Sequence, residues 1–121
     1  MKENFLTAMA SSSFRRYQQS SEALSENDLL ESIKRMEPIE PIVLSKTDFH
    51  FITEIKKKSP SMGLLSEKNF DINAQAEQYT KGGASLISIL TEPTQFSGSL
   101  EDLSTIAEMK LNIPLMRKDF L

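Results

Sequence analysis

The 121-residue sequence contains no cysteine and a single histidine, His50. The first absence excludes a disulfide framework, a thiolate nucleophile and thiolate-bound metal together, and one imidazole cannot build a zinc site. No apolar run approaches the ~20 residues that a membrane helix needs, and residues 1–10 lack the basic-then-apolar order of a secretory signal. A cytoplasmic location with no membrane partner is therefore the default expectation. Neither G-x-G-x-x-G nor G-x-x-x-x-G-K-[ST] occurs, which disfavours dinucleotide-binding and P-loop sheets. Charge of one sign is also scarce: fourteen Lys plus Arg stand against seventeen Asp plus Glu, a net charge of -3. Nothing in that balance points to a nucleic-acid partner.

The content, 39% hydrophobic and 26% charged, is that of a globular chain with one modest core. Residues 1–48 read as a helical extension. Phe5, Leu6, Met9 and Ala10 share one helical face, Leu29, Ile33 and Met36 recur at i, i+4, i+7, and the polar stretch Gln18 to Ser25 separates the two patterns. Pro38 and Pro41 end the second helix, because proline lacks the amide hydrogen and its predecessor avoids the helical region. From residue 49 the texture changes to short apolar runs, each followed by a polar or glycine-containing loop and a helical pattern, the signature of successive βα units. The expected strands are Phe49 to Lys56, Leu86 to Leu90 and Leu115 to Lys118. One helix is expected from near Asp71 to Lys81, with Ile72, Ala76 and Tyr79 inward and Gly82-Gly83 as terminator. Another starts at Ser99, with Asp102 at the capping-box position and Leu103, Ile106 and Ala107 as its buried stripe. Strand starts near residues 51, 86 and 115 are about 35 and 29 residues apart, close to the ~31 per unit of an eightfold α/β barrel. An open doubly wound sheet uses similar steps, so spacing alone does not choose between them.

Parallel α/β folds place their chemistry at the carboxyl ends of the strands, and here those ends are polar. The first finishes Glu54-Ile55-Lys56 and enters Ser59-Pro60-Ser61-Met62-Gly63. Side chains alternate along a strand, so Glu54 and Lys56 share a face that Ile55 does not. The second ends Thr91-Glu92-Pro93 before Phe96, Gly98 and Ser99. The third ends Arg117-Lys118-Asp119-Phe120, with Lys118 and Phe120 on one face. Alternate barrel strands feed one interior layer, which directs Lys56 and Lys118 towards one cavity. Neighbouring positive charge and partial burial each lower a lysine's pKa towards the range useful for acid–base work, and the same charges suit an anionic ligand. Glu54 would orient Lys56, while Phe96 and Phe120 offer contact to a ring.

Plainer readings exist for each feature taken singly. Lys56-Lys57-Lys58 alone is more often a solvated charge run, Ser59-Pro60-Ser61 a turn, and Arg117-Lys118 a charged strand edge. His50 is most simply a surface or packed histidine. Ser11-Ser12-Ser13 with Arg15-Arg16 is accounted for by a polar helix face.

Taken together, Glu54-Ile55-Lys56-Lys57-Lys58-Ser59-Pro60-Ser61, Ser88-Ile89-Leu90-Thr91-Glu92-Pro93, Phe96-Ser97-Gly98-Ser99-Leu100 and Arg117-Lys118-Asp119-Phe120 resemble indole-3-glycerol-phosphate synthase in order and spacing. The likeness spans residues 49–121, and Met9 to Ser13 resembles an element of that family's amino-terminal extension. The resemblance implies a (β/α)₈ TIM barrel, here the helical extension 1–48 plus the first three strands in 49–121. It implies conversion of a carboxyphenylamino-deoxyribulose phosphate, an anionic aromatic sugar phosphate, to indole-3-glycerol phosphate in tryptophan biosynthesis, with no cofactor and no metal. By the same resemblance Lys118 is the general acid of ring closure, Lys56 meets the substrate carboxylate and assists dehydration with Glu54 as partner, and Ser59, Phe96 and Phe120 line the pocket. Five further strands, a catalytic glutamate, an asparagine and most phosphate-binding loops are expected of the family but absent from these residues. The chain alone is therefore expected to be inactive, and to self-associate or need the missing carboxyl-terminal half. A non-catalytic truncated barrel serving as a binding or assembly module is the alternative. Another phosphate-sugar barrel fits the architecture but not Glu54-x-Lys56-x-x-Ser59-Pro60-Ser61.

Overall fold

Helix-forming and strand-forming patterns segregate along the chain, and so does the fold. The computed structural model describes residues 4–65 and 70–121. The chain divides into two units, Met1–Pro41 with Phe120–Leu121, and Ile42–Asp119.

The first unit holds helices α1 (Phe5–Ala23) and α2 (Glu26–Lys34). The polar stretch expected between the helices instead continues α1 as far as Ala23. It holds no glycine or proline, and the Ser20 and Ser21 hydroxyls donate one turn back to the carbonyls of Arg16 and Tyr17 at 2.9 and 2.6 Å. Serines satisfied in this way no longer compete with the helix. The break comes at Ser25, which caps α2 in a complete capping box with Asp28. Met36 lies beyond the end of α2, and both Leu29 and Ile33 are exposed, so the expected stripe is not buried. Of the apolar face of α1 only Met9 is buried.

The second unit is α/β. Its strands β1 (Ile52–Ile55), β4 (Leu86–Leu90) and β5 (Leu115–Lys118) form a parallel sheet in the order β1-β4-β5. Helix α3 (Ile72–Lys81) connects β1 to β4, and α5 (Leu100–Glu108) connects β4 to β5. This is the βα progression with which a (β/α)₈ barrel begins. The register sets Ile55, Ile89 and Arg117 level, and likewise Glu54, Ser88 and Met116. Alternation then gives the sheet two different faces. Ile55, Ile87 and Ile89 turn towards the helices and form the core with Ala76 of α3 and Ile106 of α5, flanked by Tyr79, Leu103, Met109 and Leu115. Ile52, Glu54, Ser88, Leu90, Met116 and Lys118 lie on the other face. All five residues of β4 are buried, as expected of a central parallel strand.

The first strand is shorter than its apolar run suggests. Phe49 and Phe51 are exposed and stack edge-on at 4.8 Å ahead of it, because a strand exists only where its neighbour pairs, and β4 begins at Leu86. Both helix boundaries match the capping signals. Asp71 accepts from Asn73 and Ala74 at 2.9 and 3.1 Å, and the chain leaves α3 through Gly83 at φ +84°. Ser99 accepts from the Asp102 amide at 3.0 Å. Asp102, however, closes no capping box, since its carboxylate is engaged by Lys57, and Ala107 of the expected stripe is exposed. Two small elements escape the apolar pattern: the hairpin of β2 (Lys58–Ser59) with β3 (Gly63–Leu64), and one helical turn, α4 (Pro93–Phe96). Among the described residues no helix is long and apolar enough to cross a membrane.

Candidate active site

The strand alternation that buries Ile55 commits Glu54 and Lys56 to the opposite face. There the Glu54 carboxylate is shared: Oε1 accepts from Lys56 Nζ at 2.6 Å and Oε2 from Lys118 Nζ at 2.5 Å. Lys118 comes from β5, so this second contact spans the middle strand. The main chain of Glu54 is held in turn by α3, where the Tyr79 hydroxyl donates to its carbonyl at 3.1 Å. Partial burial raises the Glu54 pKa, but hydrogen bonds and charge attraction from Lys118 and Lys56 outweigh it and hold the carboxyl below its usual range. Two ammonium groups around one carboxylate leave one net positive charge.

The basic run beside Glu54 is not a uniformly solvated stretch. Lys57 turns to the helix side, where its ammonium contacts both carboxylate oxygens of Asp102 at 2.7 Å. Adjacent lysines thus take opposite sides of the sheet. The Lys57–Asp102 pair ties the end of β1 to the first turn of α5, next to the point where the chain leaves towards β2.

Ser59 is buried in β2, and its Oγ accepts from the Met62 amide at 3.2 Å across the Pro60-Ser61 turn. The turn reading of Ser59-Pro60-Ser61 therefore holds, and among the described residues the hydroxyl's own hydrogen is not donated. Helix α4, closed by the half-buried Phe96, packs against β2, so the elements carrying Ser59 and Phe96 are neighbours. Phe120 is grouped elsewhere. It belongs to the first unit, where its ring meets Phe5 edge-on at 6.0 Å and its carbonyl accepts from Ser13 Oγ at 2.5 Å. The structure brings together Glu54, Lys56 and Lys118, and separately β2 and α4.

Two features at the carboxyl rim carry no mark in the apolar pattern. Glu92, fully buried, caps α4: its oxygens accept from the amides of Thr94, Gln95 and Phe96 at 3.0, 2.7 and 3.2 Å and from Thr94 Oγ1 at 2.5 Å. Burial raises its pKa, and these four donors more than reverse that, leaving it lowered. Its signal was available in Glu92-Pro93, a side-chain acceptor before a proline at the first helical position. The second feature is a network on the helix face of β5. Thr91 Oγ1 donates to Asp119 at 2.8 Å, and Arg117 donates to Thr91 Oγ1 and Asp119 at 3.2 Å each. It anchors the residues on both sides of Lys118. His50 spans Ser85 Oγ and the Ser45 carbonyl at 3.2 and 3.0 Å, a packing role.

The family model described as indole-3-glycerol phosphate synthase matches residues 10–121. Curated relatives bearing that name agree with it. One from an Exiguobacterium species is 41% identical over 100 residues, covering 76% of this chain and 39% of the relative. One from Sulfurimonas denitrificans is 52% identical over 73 residues, covering 60% and 27%. One from Petrotoga mobilis is 51% identical over 70 residues, covering 58% and 27%. The chain thus spans between 27% and 39% of the length of these relatives. With the three parallel strands, the motif order and the shared carboxylate of Glu54, this match places the chain in the indole-3-glycerol phosphate synthase family.

Proposed function

We propose that the chain forms the amino-terminal share of an indole-3-glycerol phosphate synthase catalytic centre, a cytoplasmic enzyme converting 1-(2-carboxyphenylamino)-1-deoxyribulose 5-phosphate to indole-3-glycerol phosphate, carbon dioxide and water. The observation that supports it most is the single carboxylate, Glu54, held between ammonium groups from two strands that are not neighbours. A cluster with one net positive charge suits a substrate carrying a carboxylate and a phosphate.

Ring closure joins the aromatic carbon bearing the carboxylate to the ketone carbon. The ketone oxygen takes up a proton, carbon dioxide departs, and the new hydroxyl leaves as water. Lys118 donates to the ketone oxygen as general acid, Lys56 pairs with the substrate carboxylate and assists dehydration, and Glu54 orients both ammonium groups. Ser59 and Phe96, from the neighbouring elements β2 and α4, line the pocket. The proposed chemistry is acid–base throughout and calls on no cofactor or metal. In this reading 49–121 is the barrel portion and 1–48 the helical extension.

A chimera in which residues 10–121 replace the matching segment of the Exiguobacterium relative tests the proposal by the fluorescence of indole-glycerol phosphate formation. The chimera is expected to turn over, and Lys118→Ala to lower kcat by about 10²–10⁴. Undiminished turnover in that variant would remove Lys118 from the mechanism.

An assembly role draws on one further observation. Among the described residues β1 and β5 are each paired on one side only, and open strand edges are templates for association. We propose that the 121-residue chain alone self-associates or pairs with a carboxyl-terminal segment.

A further inference from the structure

Ser88 is 97% removed from solvent by its 3% relative exposure, and its hydroxyl has no hydrogen-bond partner among the described residues. It sits in the middle of β4, level with Glu54 on one side and Met116 on the other. It therefore lies on the same face as Glu54 and Lys118. The outer strands stand roughly 10 Å apart, yet Glu54 and Lys118 meet at 2.5 Å. Their bridge closes over β4, above Ser88 and above Leu90, which is level with Lys118. A buried hydroxyl left unmatched is destabilising unless another state of the site answers it.

We propose that Ser88 is a positioning residue whose hydroxyl takes over Glu54 when an anionic substrate draws Lys118 away. In the resting arrangement Glu54 holds both ammonium groups and Ser88 is idle beneath the bridge. Once Lys118 turns to the substrate, the Glu54 Oε2 lone pairs are vacated, and the Ser88 hydroxyl, level with Glu54 on the adjacent strand, donates to them. The carboxylate then stays charged and oriented, and continues to hold Lys56. The inference rests on the catalytic reading above for its substrate, but its hydrogen-bond exchange can be read without turnover.

Replacing Lys118 by alanine mimics its departure. The Glu54 carboxyl is followed by ¹³C NMR titration in the 121-residue chain, its resonance identified by loss in Glu54→Gln. The groups facing it are Lys56 from its own strand, Lys118 from β5 and Ser88 from β4, with the Tyr79 hydroxyl on its backbone carbonyl. In the Lys118→Ala background, Ser88→Ala is expected to raise the midpoint by about one pH unit, and Ser88→Thr to restore it. With Lys118 present, Ser88→Ala is expected to leave the midpoint where it was. Equal midpoints in the Lys118→Ala pair, or an equal displacement with Lys118 present, would overturn the proposal. In the chimera, Ser88→Ala is expected to lower kcat about tenfold with KM within about twofold and no fall in thermal midpoint. A rise in KM at unchanged kcat would also overturn it. A chimera inactive with every wild-type residue in place strikes the catalytic reading, while the titration pair still decides on Ser88.

Discussion

Replacing Glu54 by glutamine keeps the shape of the side chain and removes the charge that holds two lysines together. At neutral pH two partly exposed bridges are lost, and contacts of this kind contribute about 0.2–1 kcal/mol each. The variant also leaves two ammonium groups facing each other. Contacts of 2.6 and 2.5 Å to the two oxygens of one carboxylate set the ammonium groups no more than about 7 Å apart, where at an effective dielectric of about 20 their repulsion is ~2 kcal/mol or somewhat more. Lys118 is 54% exposed in its side chain, and the Debye length of about 8 Å at physiological salt nearly matches the separation, so less than half of that survives. The expected loss is about 0.5–3 kcal/mol at pH 7, equivalent to about 4–8 °C in melting temperature for each kcal/mol in a domain of this size. The sign with pH follows from Glu54 being held below its usual 4.5 in the folded state. A carboxyl with a depressed folded pKa contributes stability that is fully present above its unfolded value and is lost as pH falls through the folded value. Urea or thermal melts of the 121-residue chain and its Glu54→Gln variant should therefore differ at pH 7, draw together progressively as pH falls below 4.5, and draw closer as salt is raised. A gap that stays constant from pH 3 to 7, or no gap at pH 7, would refute the shared-carboxylate account.

Gly98→Ala places a Cβ against the Leu90 carbonyl, 2.7 Å from its carbon and 2.9 Å from the Thr91 Cα. Because backbone must yield, urea unfolding should show a loss of about 1–3 kcal/mol. Ile89→Ala empties a fully buried position between β4 and the helices and should cost about 2–5 kcal/mol. Ile52→Ala, on a side chain 57% exposed, should stay within about 0.5 kcal/mol by the same measurement. Sedimentation velocity of the isolated chain should show concentration-dependent association through the open strand edges, and charged substitutions at the exposed Phe51 and Ile52 on the β1 edge should reduce it.

Much of the fold could be read locally. The ends of α3 are written in Asp71 and Gly82-Gly83, the start of α5 in Ser99, and the span of β5 in four residues between Pro114 and Asp119. These depend on groups within a few positions of one another. The pairing of Glu54 with Lys56 was readable for the same reason, since strand alternation puts them two residues apart on one face. Where the apolar pattern misled, a local polar choice decided otherwise. The serines at 20 and 21 bond back into α1 and extend it, and Glu92 folds Pro93–Phe96 into a turn of helix in what reads as loop.

What the sequence determined by itself was the order of strands and helices, their caps, and which residues end each strand, because these follow from backbone chemistry over one or two turns. Only the tertiary structure decided that Lys57 belongs to Asp102, 45 residues away, and that Glu54 is shared with Lys118, 64 residues away. It likewise decided that Ser88 is left without a partner among the described residues beneath that bridge, and that Phe120 packs on Phe5 in the other unit. Partners so distant in the chain are chosen by strand register and by which face each strand buries, and neither exists until the sheet has assembled.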